Sequence, residues 1–460
     1  MDFSLYNIDP QEFRIIDRHE EDGNVTYDLE PAEEPESCPT CYSSSIKKHG
    51  TFQRSARDLS EYAKKVGLII HTHRYKCQNC LGTWVPQFRS IDSNAKMTNR
   101  MRDYIRKQSL SVPFSRIKDE LDISVSTIRD IFKAYVDGLD SRRKIVAPRV
   151  LGIDENYLNN AYRCIYTDIE NGLIIDLTPD RKDDTVKRWI ATLPEKDRIE
   201  CVTMDMWWHY RDDVHAELPG IPIVVDKFHV IKNLNDALEA VRKSLKDDLT
   251  AGERKTAKDN RWLLLRNNED LDFMAEARLN DLLYSFPQFK EPYELKESFR
   301  NIYKAETRED AENRYSEWKE KALLYAPYRD FIDTVDNWYE EIFNYFDHQY
   351  TNAVTESLNS LCKEIAAIGR GYTFDVLRAK ILYGTKATKP AKYHYYRKEE
   401  PLSDTIDIGY ADTIFRNGGI YEYVGTYMPT DNKKHRRVEV SSGADIRMLA
   451  YLIGMKHFWN

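Results

Sequence analysis

Two stretches of this 460-residue sequence each run an apolar strand into a carboxylate: VLGIDENYL, carrying Asp154, and IECVTMDMWWHY, carrying Asp205. A third, IVVDKFHVIK, sets Asp226 and His229 where another apolar run ends. A lone aspartate at a strand end is usually a cap or a turn residue. Two in this order favour a shared purpose, because carboxylates pressed together repel strongly unless a cation lies between them. A hard, oxygen-seeking ion such as magnesium suits that position. Asp226 is open to two readings, a metal ligand in its own right or scaffolding beside a centre whose acids lie elsewhere. Further on, in TNAVTESLNSLCKEI, the spacing of Ala353, Leu358, Cys362 and Ile365 defines a buried helix face. Glu356, Asn359 and Lys363 fall on a polar one. Such a helix, returning to the strands, would bring Glu356 to the Asp154/Asp205 pair.

The elements that must hold these acids follow from the pattern. VLGIDENYL is a strand, YRCIYTDIENGLIIDL a hairpin turning at Glu170, Asn171 and Gly172, and DDTVKRWIATL a helix. IECVTM and IPIVV are two further strands. The order strand, hairpin, helix, strand, helix, strand predicts an α/β RNase H-like core whose first and fourth strands lie side by side. From Lys232 to about Tyr350 the sequence is almost wholly helical, an all-α insertion in which Trp262, Trp318 and Trp338 are expected core anchors.

Four of the seven cysteines form two pairs, Cys38 and Cys41 in CPTC, Cys77 and Cys80 in CQNC. A two-residue spacer lets both thiolates of a pair face one tetrahedral zinc ion, and two pairs close a four-sulfur structural site with no open position. The alternating YAKKVGLIIHTHRYKC between them predicts a strand, hence a zinc ribbon. Cys164, Cys201 and Cys362 lack metal spacing and read as small core residues. Next, KMTNRMRDYIRKQSL is helical, and PFSRIKDELDISVSTIRDIFKAYV has the rhythm of a helix-turn-helix with DIS as its turn. Ser126, Thr127, Arg129 and Lys133 are then left on the outer face, able to reach a DNA groove. The net charge of −8 conceals a division: residues 1–36 hold 12 Asp/Glu against 2 Arg, whereas residues 47–149 hold 22 Lys/Arg against 10 Asp/Glu, a surplus of 12 positive charges. That local excess can neutralise phosphates even in an acidic chain.

Taken together, CPTC…CQNC, LGIDE, MDMWWHY, VVDKFHVIKNLNDALEAVR and TNAVTESLNSLCKEI…GRGYTF resemble the ISL-three family of insertion-sequence transposases, from the cysteines to about Leu382. The resemblance implies a DDE transposase: an RNase H-like core, two Mg2+ ions with Mn2+ as a substitute, an insertion before the glutamate and N-terminal domains that bind terminal inverted repeats. It makes Asp154 the first acid and Glu356 the last, with Asp205 or Asp226 between them. Transposases of the Mutator and hAT groups carry a C/D-x-x-H motif after the fifth core strand, and DKFH fits it. This favours Asp205 as second ligand, with Asp226 and His229 as its support. The family chemistry is hydrolysis at the transposon end, followed by attack of the freed 3′-hydroxyl on target DNA. Lys227, Lys232 and Arg370 are candidate phosphate contacts.

The resulting organisation is an acidic segment (1–36), zinc ribbon (37–90), helix-turn-helix (91–145), first part of the core (146–231), insertion (232–350), glutamate helix (351–385) and C-terminal extension (386–460). Two rivals share parts of this pattern. A transposase-derived DNA-binding regulator has no need of three converging acids, and a cellular metal-dependent nuclease leaves ribbon, helix pair and insertion unexplained together. Double-stranded DNA and a second copy of the chain are the expected partners, since two transposon ends must be held at once. With no signal segment or apolar run near the ~20 residues of a span, the setting expected is cytoplasmic and nucleoid-associated.

Overall fold

The first sheet begins within the acidic segment, to which sequence reading had assigned no structure. In the computed structural model, which describes residues 9–91, 96–245, 249–369 and 371–384 and two later strands, β1 (Phe13–Glu21) and β2 (Asn24–Pro31) form a hairpin. Strands β3 (Ile46–Glu61) and β4 (Lys64–Cys77) form a second, and β2 runs parallel to β4, giving the order β1-β2-β4-β3 with β5 (Thr83–Trp84) beside β4. The acids of β1 and β2 sit on exposed positions, except Asp28, which is half-buried beside His71. Phe13, Val25, Tyr27 and Leu29 turn inward onto Ala56, Val66, Leu68 and Ile70. Alternation with a period of two therefore survives among the charges.

Three helices follow: α1 (Asn99–Ser109), α2 (Phe114–Leu121) and α3 (Val125–Asp140). Thr98 caps α1 by accepting from the Met101 amide. Between α2 and α3 the chain turns through Asp122 in the left-handed region (φ 51°), and Ser124 Oγ accepts from the Thr127 amide at 3.1 Å. Met101, Ile105, Ile117, Leu121, Ile128 and Ile131 form the shared core. Arg57 of β3 donates to the terminal carbonyls of α2, Leu121 O and Asp122 O, at 2.6 Å each, and so joins this unit to the first sheet.

The second sheet contains β6 (Val150–Leu158), β7 (Ala161–Asp168), β8 (Leu173–Leu177), β9 (Cys201–Met204) and β10 (Ile223–Val225) in the order β10-β9-β6-β7-β8. Strands β6, β7 and β8 are antiparallel, whereas β9 pairs parallel with both β6 and β10. The first and fourth strands are neighbours, as the element order predicts. Helices α4 (Asp183–Thr192) and α5 (Trp208–Glu217) lie between β8 and β9 and between β9 and β10 in the chain. Cys164 and Cys201 are buried within the strands.

The insertion comprises α6 (Lys227–Ser244), α7 (Ala251–Asp259), α8 (Arg261–Leu265), α9 (Phe273–Ser285), α10 (Lys290–Ile302), α11 (Arg308–Ala322), α12 (Ala326–Asn337) and α13 (Tyr339–His348). Leu234, Phe299, Trp318, Phe331 and Trp338 continue the core of the sheet, and Trp318 donates its indole N–H to Leu295 O at 2.7 Å. Trp262 departs from the expected role: it is 39% exposed and faces Arg266. Helix α14 (Ala353–Gly369) then returns to the sheet and α15 (Phe374–Tyr383) packs on it through Cys362, Ile365, Leu377 and Ile381.

Residues 392–460 form a separate unit whose described part is an antiparallel pair, β11 (Tyr423–Tyr427) and β12 (Arg436–Val440). The helix that the sequence ADIRMLAYLIGMKHFWN predicts at the end of the chain lies outside the described residues. Among those described, no helix is long and apolar enough to cross a membrane.

Candidate metal and catalytic centres

At the cysteine site, Cys38 and Cys41 lie on the turn before β3, Cys77 ends β4 and Cys80 lies on the turn that follows it. The antiparallel pairing Ile46↔Cys77 brings the two turns together. All four sulfurs lie within 4.8 Å of one another, with Cys38 to Cys80 and Cys41 to Cys77 at 3.6 Å. The amides of Asn79 and Cys80 point at Cys77 Sγ from 3.3 and 3.4 Å. Backbone donation of this kind favours thiolates. The Cys41 amide above all pulls Cys38 down to about 6, and the Cys80 amide leads the same shift at Cys77. Four clustered sulfurs without an open position fit a structural zinc ion.

The acids meet at the second sheet. Asp154 is inward-facing on β6, Asp205 follows β9, and Asp226 follows β10, where it caps α6 by accepting from the Phe228 amide. The parallel pairing of Val225 with Met204 sets Asp226 beside Asp205, and the Asp226 amide donates to Met204 O at 3.0 Å. His229, one turn into α6, directs Nδ1 at Asp205 Oδ1 (2.9 Å) and Asp226 Oδ2 (3.2 Å). Burial works against its protonation, but the hydrogen bonds to Asp205 and Asp226 prevail and raise the imidazole to about 10. It thus supplies a cation between two carboxylates.

Asp154 is 4% exposed; burial first, then the charge of Asp205 and a hydrogen bond with it, push its carboxyl up to about 9. Burial and the charge of Asp226 also raise Glu356, on the first turn of α14. Asp154, Asp205, Asp226, His229 and Glu356 therefore form one electrostatic cluster. Its members come from β6, the ends of β9 and β10, α6 and α14.

Helix α14 is held to the sheet by polar contacts that sequence reading did not identify. Asn359 Nδ2 donates to Asp154 Oδ2 at 2.6 Å, and Asn156 Nδ2 donates to Asn359 O at 2.9 Å. Thr355 shares a 2.7 Å hydroxyl contact with Thr167 on β7, and Thr203 of β9 donates to Asn352 Oδ1 at 3.2 Å. Leu358, Cys362 and Ile365 are buried as the spacing predicts, whereas Asn359 is buried rather than solvated and Ala353 is exposed, so the buried face of α14 takes in Asn359 in place of Ala353. The signal for Asn359 was its i+3 spacing from Glu356, which places both over the same stretch of sheet. Gly152, two residues before Asp154, leaves the room: a Cβ there would meet Thr167 Oγ1 at 2.2 Å and Thr355 Oγ1 at 2.7 Å.

Of the other predicted residues, Ser126, Arg129 and Lys133 are exposed on α3 and Thr127 is half-buried at its first turn. Lys232 is exposed. Lys227 is drawn inward, its Nζ 4.8 Å from the Tyr303 ring. Arg370 lies outside the described residues.

Both clusters fall where comparison with known proteins finds likeness. A family profile of DDE-type ISL3 transposases, described as transposase, matches residues 151–381. A second, described as the zinc-finger of transposase IS204/IS1001/IS1096/IS1165, matches residues 34–80. The chain belongs to the ISL3 family of transposases and carries that family's zinc ribbon. Among curated relatives it is similar to the transposase for insertion sequence element IS1001 of Bordetella parapertussis, at 24% identity over 355 residues, covering 75% of this chain and 87% of that one.

Proposed function

We propose that the chain binds the terminal inverted repeats of its own insertion sequence and performs metal-dependent strand cleavage and strand transfer. The carrying observation is that the charge of Asp205, just beyond β9, acts on both Asp154 of β6 and Glu356 of α14, residues widely separated in sequence, on a sheet of order β10-β9-β6-β7-β8. That order, with three antiparallel strands followed by two parallel ones, supports an RNase H-like core.

Asp154, Asp205 and Glu356 would hold two divalent cations, Mg2+ by their all-oxygen donor set, and these would activate the attacking hydroxyl and stabilise the departing oxygen. Asn359 orients Asp154 through its amide. His229 and Asp226 hold Asp205 at the edge of the site. A second reading, with Asp226 as a ligand, draws support from its being the carboxylate that most raises Glu356. Helix α3, capped by Ser124 and exposing Ser126, Arg129 and Lys133, supports a helix-turn-helix entering a major groove. The basic balance of residues 47–149 supports the phosphate contacts around it. Two ends cleaved together call for more than one copy in the synaptic complex.

The test is cleavage in Mg2+ of a duplex carrying one end of the element, with Asp205→Ala and Asp226→Ala compared side by side. Loss of cleavage in Asp205→Ala with residual activity in Asp226→Ala is expected. Full activity in Asp205→Ala would overturn its assignment, and a parent that binds the end without cutting it in Mg2+ or Mn2+ would favour a regulator.

A further inference from the structure

Each acid-bearing strand leads, within three residues of its carboxylate, to a large aromatic ring left in solvent: Tyr157 after Asp154 (54% exposed), Trp208 after Asp205 (53%) and Phe228 after Asp226 (58%). Burial of such rings is strongly favoured, so three exposed beside one partly buried cluster of acids ask for an occupant.

The rings near β6 and β9 are joined in a continuous strip. Tyr157 meets Tyr162 across the β6–β7 pair with centroids 5.0 Å apart. The Arg181 guanidinium lies 4.3 Å from the Tyr162 centroid and 4.8 Å from that of Trp207. Trp207 is 5.3 Å from His209, and His209 lies 3.4 Å from Trp208. The strip is braced from behind. Glu155, the residue after Asp154, pairs with Arg181, and Asp183 at the start of α4 holds His209 Nδ1 at 2.7 Å.

Those braces also define its chemistry. The Arg181 guanidinium is matched by the Glu155 carboxylate and His209 is held by Asp183, so the strip has flat, polarisable faces without the surplus positive charge that grips phosphate. Such a surface takes nucleobase faces, of any sequence, and not the sugar-phosphate backbone. A base reaches it only after leaving its own stack.

We propose that the Tyr157–Tyr162–Arg181–Trp207–Trp208 strip binds unpaired nucleobases of the DNA strand that flanks the phosphodiester held at the acid cluster. The inference rests on the transposase reading above and deepens it: the chain takes DNA ends with their terminal base pairs opened. Tyr157, Tyr162 and Trp208 are then positioning residues, and the acids remain the catalytic ones.

The test measures the affinity of the full-length chain, without divalent cation, for two duplexes carrying the same end of the element. One is fully paired, and the other has the bases flanking the cleavage point mismatched. The parent should bind the mismatched duplex about tenfold or more tightly, the scale of one or two base–aromatic stacks. Trp208→Ala and the double change Tyr157→Ala/Tyr162→Ala should bring that ratio towards one, with the greater loss of affinity on the mismatched duplex. Trp208→Phe should retain it, and Phe273→Ala, an exposed ring on α9 of the insertion, should leave it untouched. No preference in the parent, or a preference that survives both alanine variants, overturns the proposal. Cleavage of the paired duplex by the parent in Mg2+ is scored separately. A parent that cuts but shows no preference sinks this inference alone, and one that shows the preference without cutting sinks the cleavage reading alone.

Discussion

Replacing Gly152 by alanine tests how closely Glu356 depends on the seat of α14. The added methyl would lie 2.7 Å from Thr355 Oγ1, where ordinary contact begins near 3.4 Å, so the helix must retreat by the difference, 0.7 Å. It would also lie 2.2 Å from Thr167 Oγ1 and 2.7 Å from Ile169 Cδ1, and the buried Thr167–Thr355 hydroxyl pair cannot survive between them. Overpacking of a well-filled interior costs about 1–3 kcal/mol, and a lost buried hydrogen bond about 1 kcal/mol. The sum is about 2–4 kcal/mol. A reacting group misplaced by ~1 Å loses ~100-fold in rate, so the retreat of α14 should slow end cleavage by roughly 30- to 100-fold. Single-turnover cleavage in Mg2+ and calorimetric unfolding of the same preparations would measure both effects. Adding Thr167→Ala and Thr355→Ala removes the two offending hydroxyls and should restore part of the rate. Parental cleavage and an unchanged unfolding midpoint in Gly152→Ala would refute the reasoning.

The remaining predictions concern metal, zinc and pH. Asn359→Ala removes the amide that orients Asp154, and should weaken Mn2+ binding by about 10- to 100-fold in a calorimetric titration; parental affinity would count against that role. Cys77→Ser should release the bound zinc, read by atomic absorption, and reduce gel-shift binding of the DNA end; full zinc retention would count against the four-sulfur site. Burial lowers the Lys380 ammonium to about 8 from an ordinary value of 10.5. Between those values the unfolded chain binds the extra proton, so the parent should gain stability relative to Lys380→Met as pH rises from about 8 to about 10.5. A flat or falling difference in unfolding midpoint over that window would contradict the direction.

What the sequence made legible was chemistry that depends on residue type and short spacing. The cysteine pairs, the strand-borne acids and the order of strands around them needed only local pattern and a rule of topology. Less legible was whatever depends on contacts between distant segments. Asn359 looked like a solvated neighbour of Glu356 because its partner, Asp154, is 205 residues away. Gly152 carried no signal in the sequence, since the crowding of Thr167 and Thr355 around it exists only once α14 has docked. The hairpin of β1 and β2 was hidden by its acids, whose outward positions mask the apolar alternation beneath. Trp262 went astray for the opposite reason: tryptophan is so often a core anchor that its exposed setting had no local sign.

Helix α15, packed against the helix that bears Glu356, also reaches into the N-terminal helices. Lys380 lies 2% exposed and donates to Ser109 O at the end of α1 and, at 2.9 Å, to Val112 O just beyond it. Arg378 bridges Asp176 of β8, at 2.8 Å, to Asp140 at the end of α3, at 3.3 Å. These helices are therefore not an interchangeable cartridge. A chimera that borrowed α1–α3 from a relative without its matching α15 would strand an ammonium ion in an apolar socket lacking its two carbonyls. If α3 reads the end sequence as proposed, any exchange of end specificity between relatives built this way must transplant both halves of the joint.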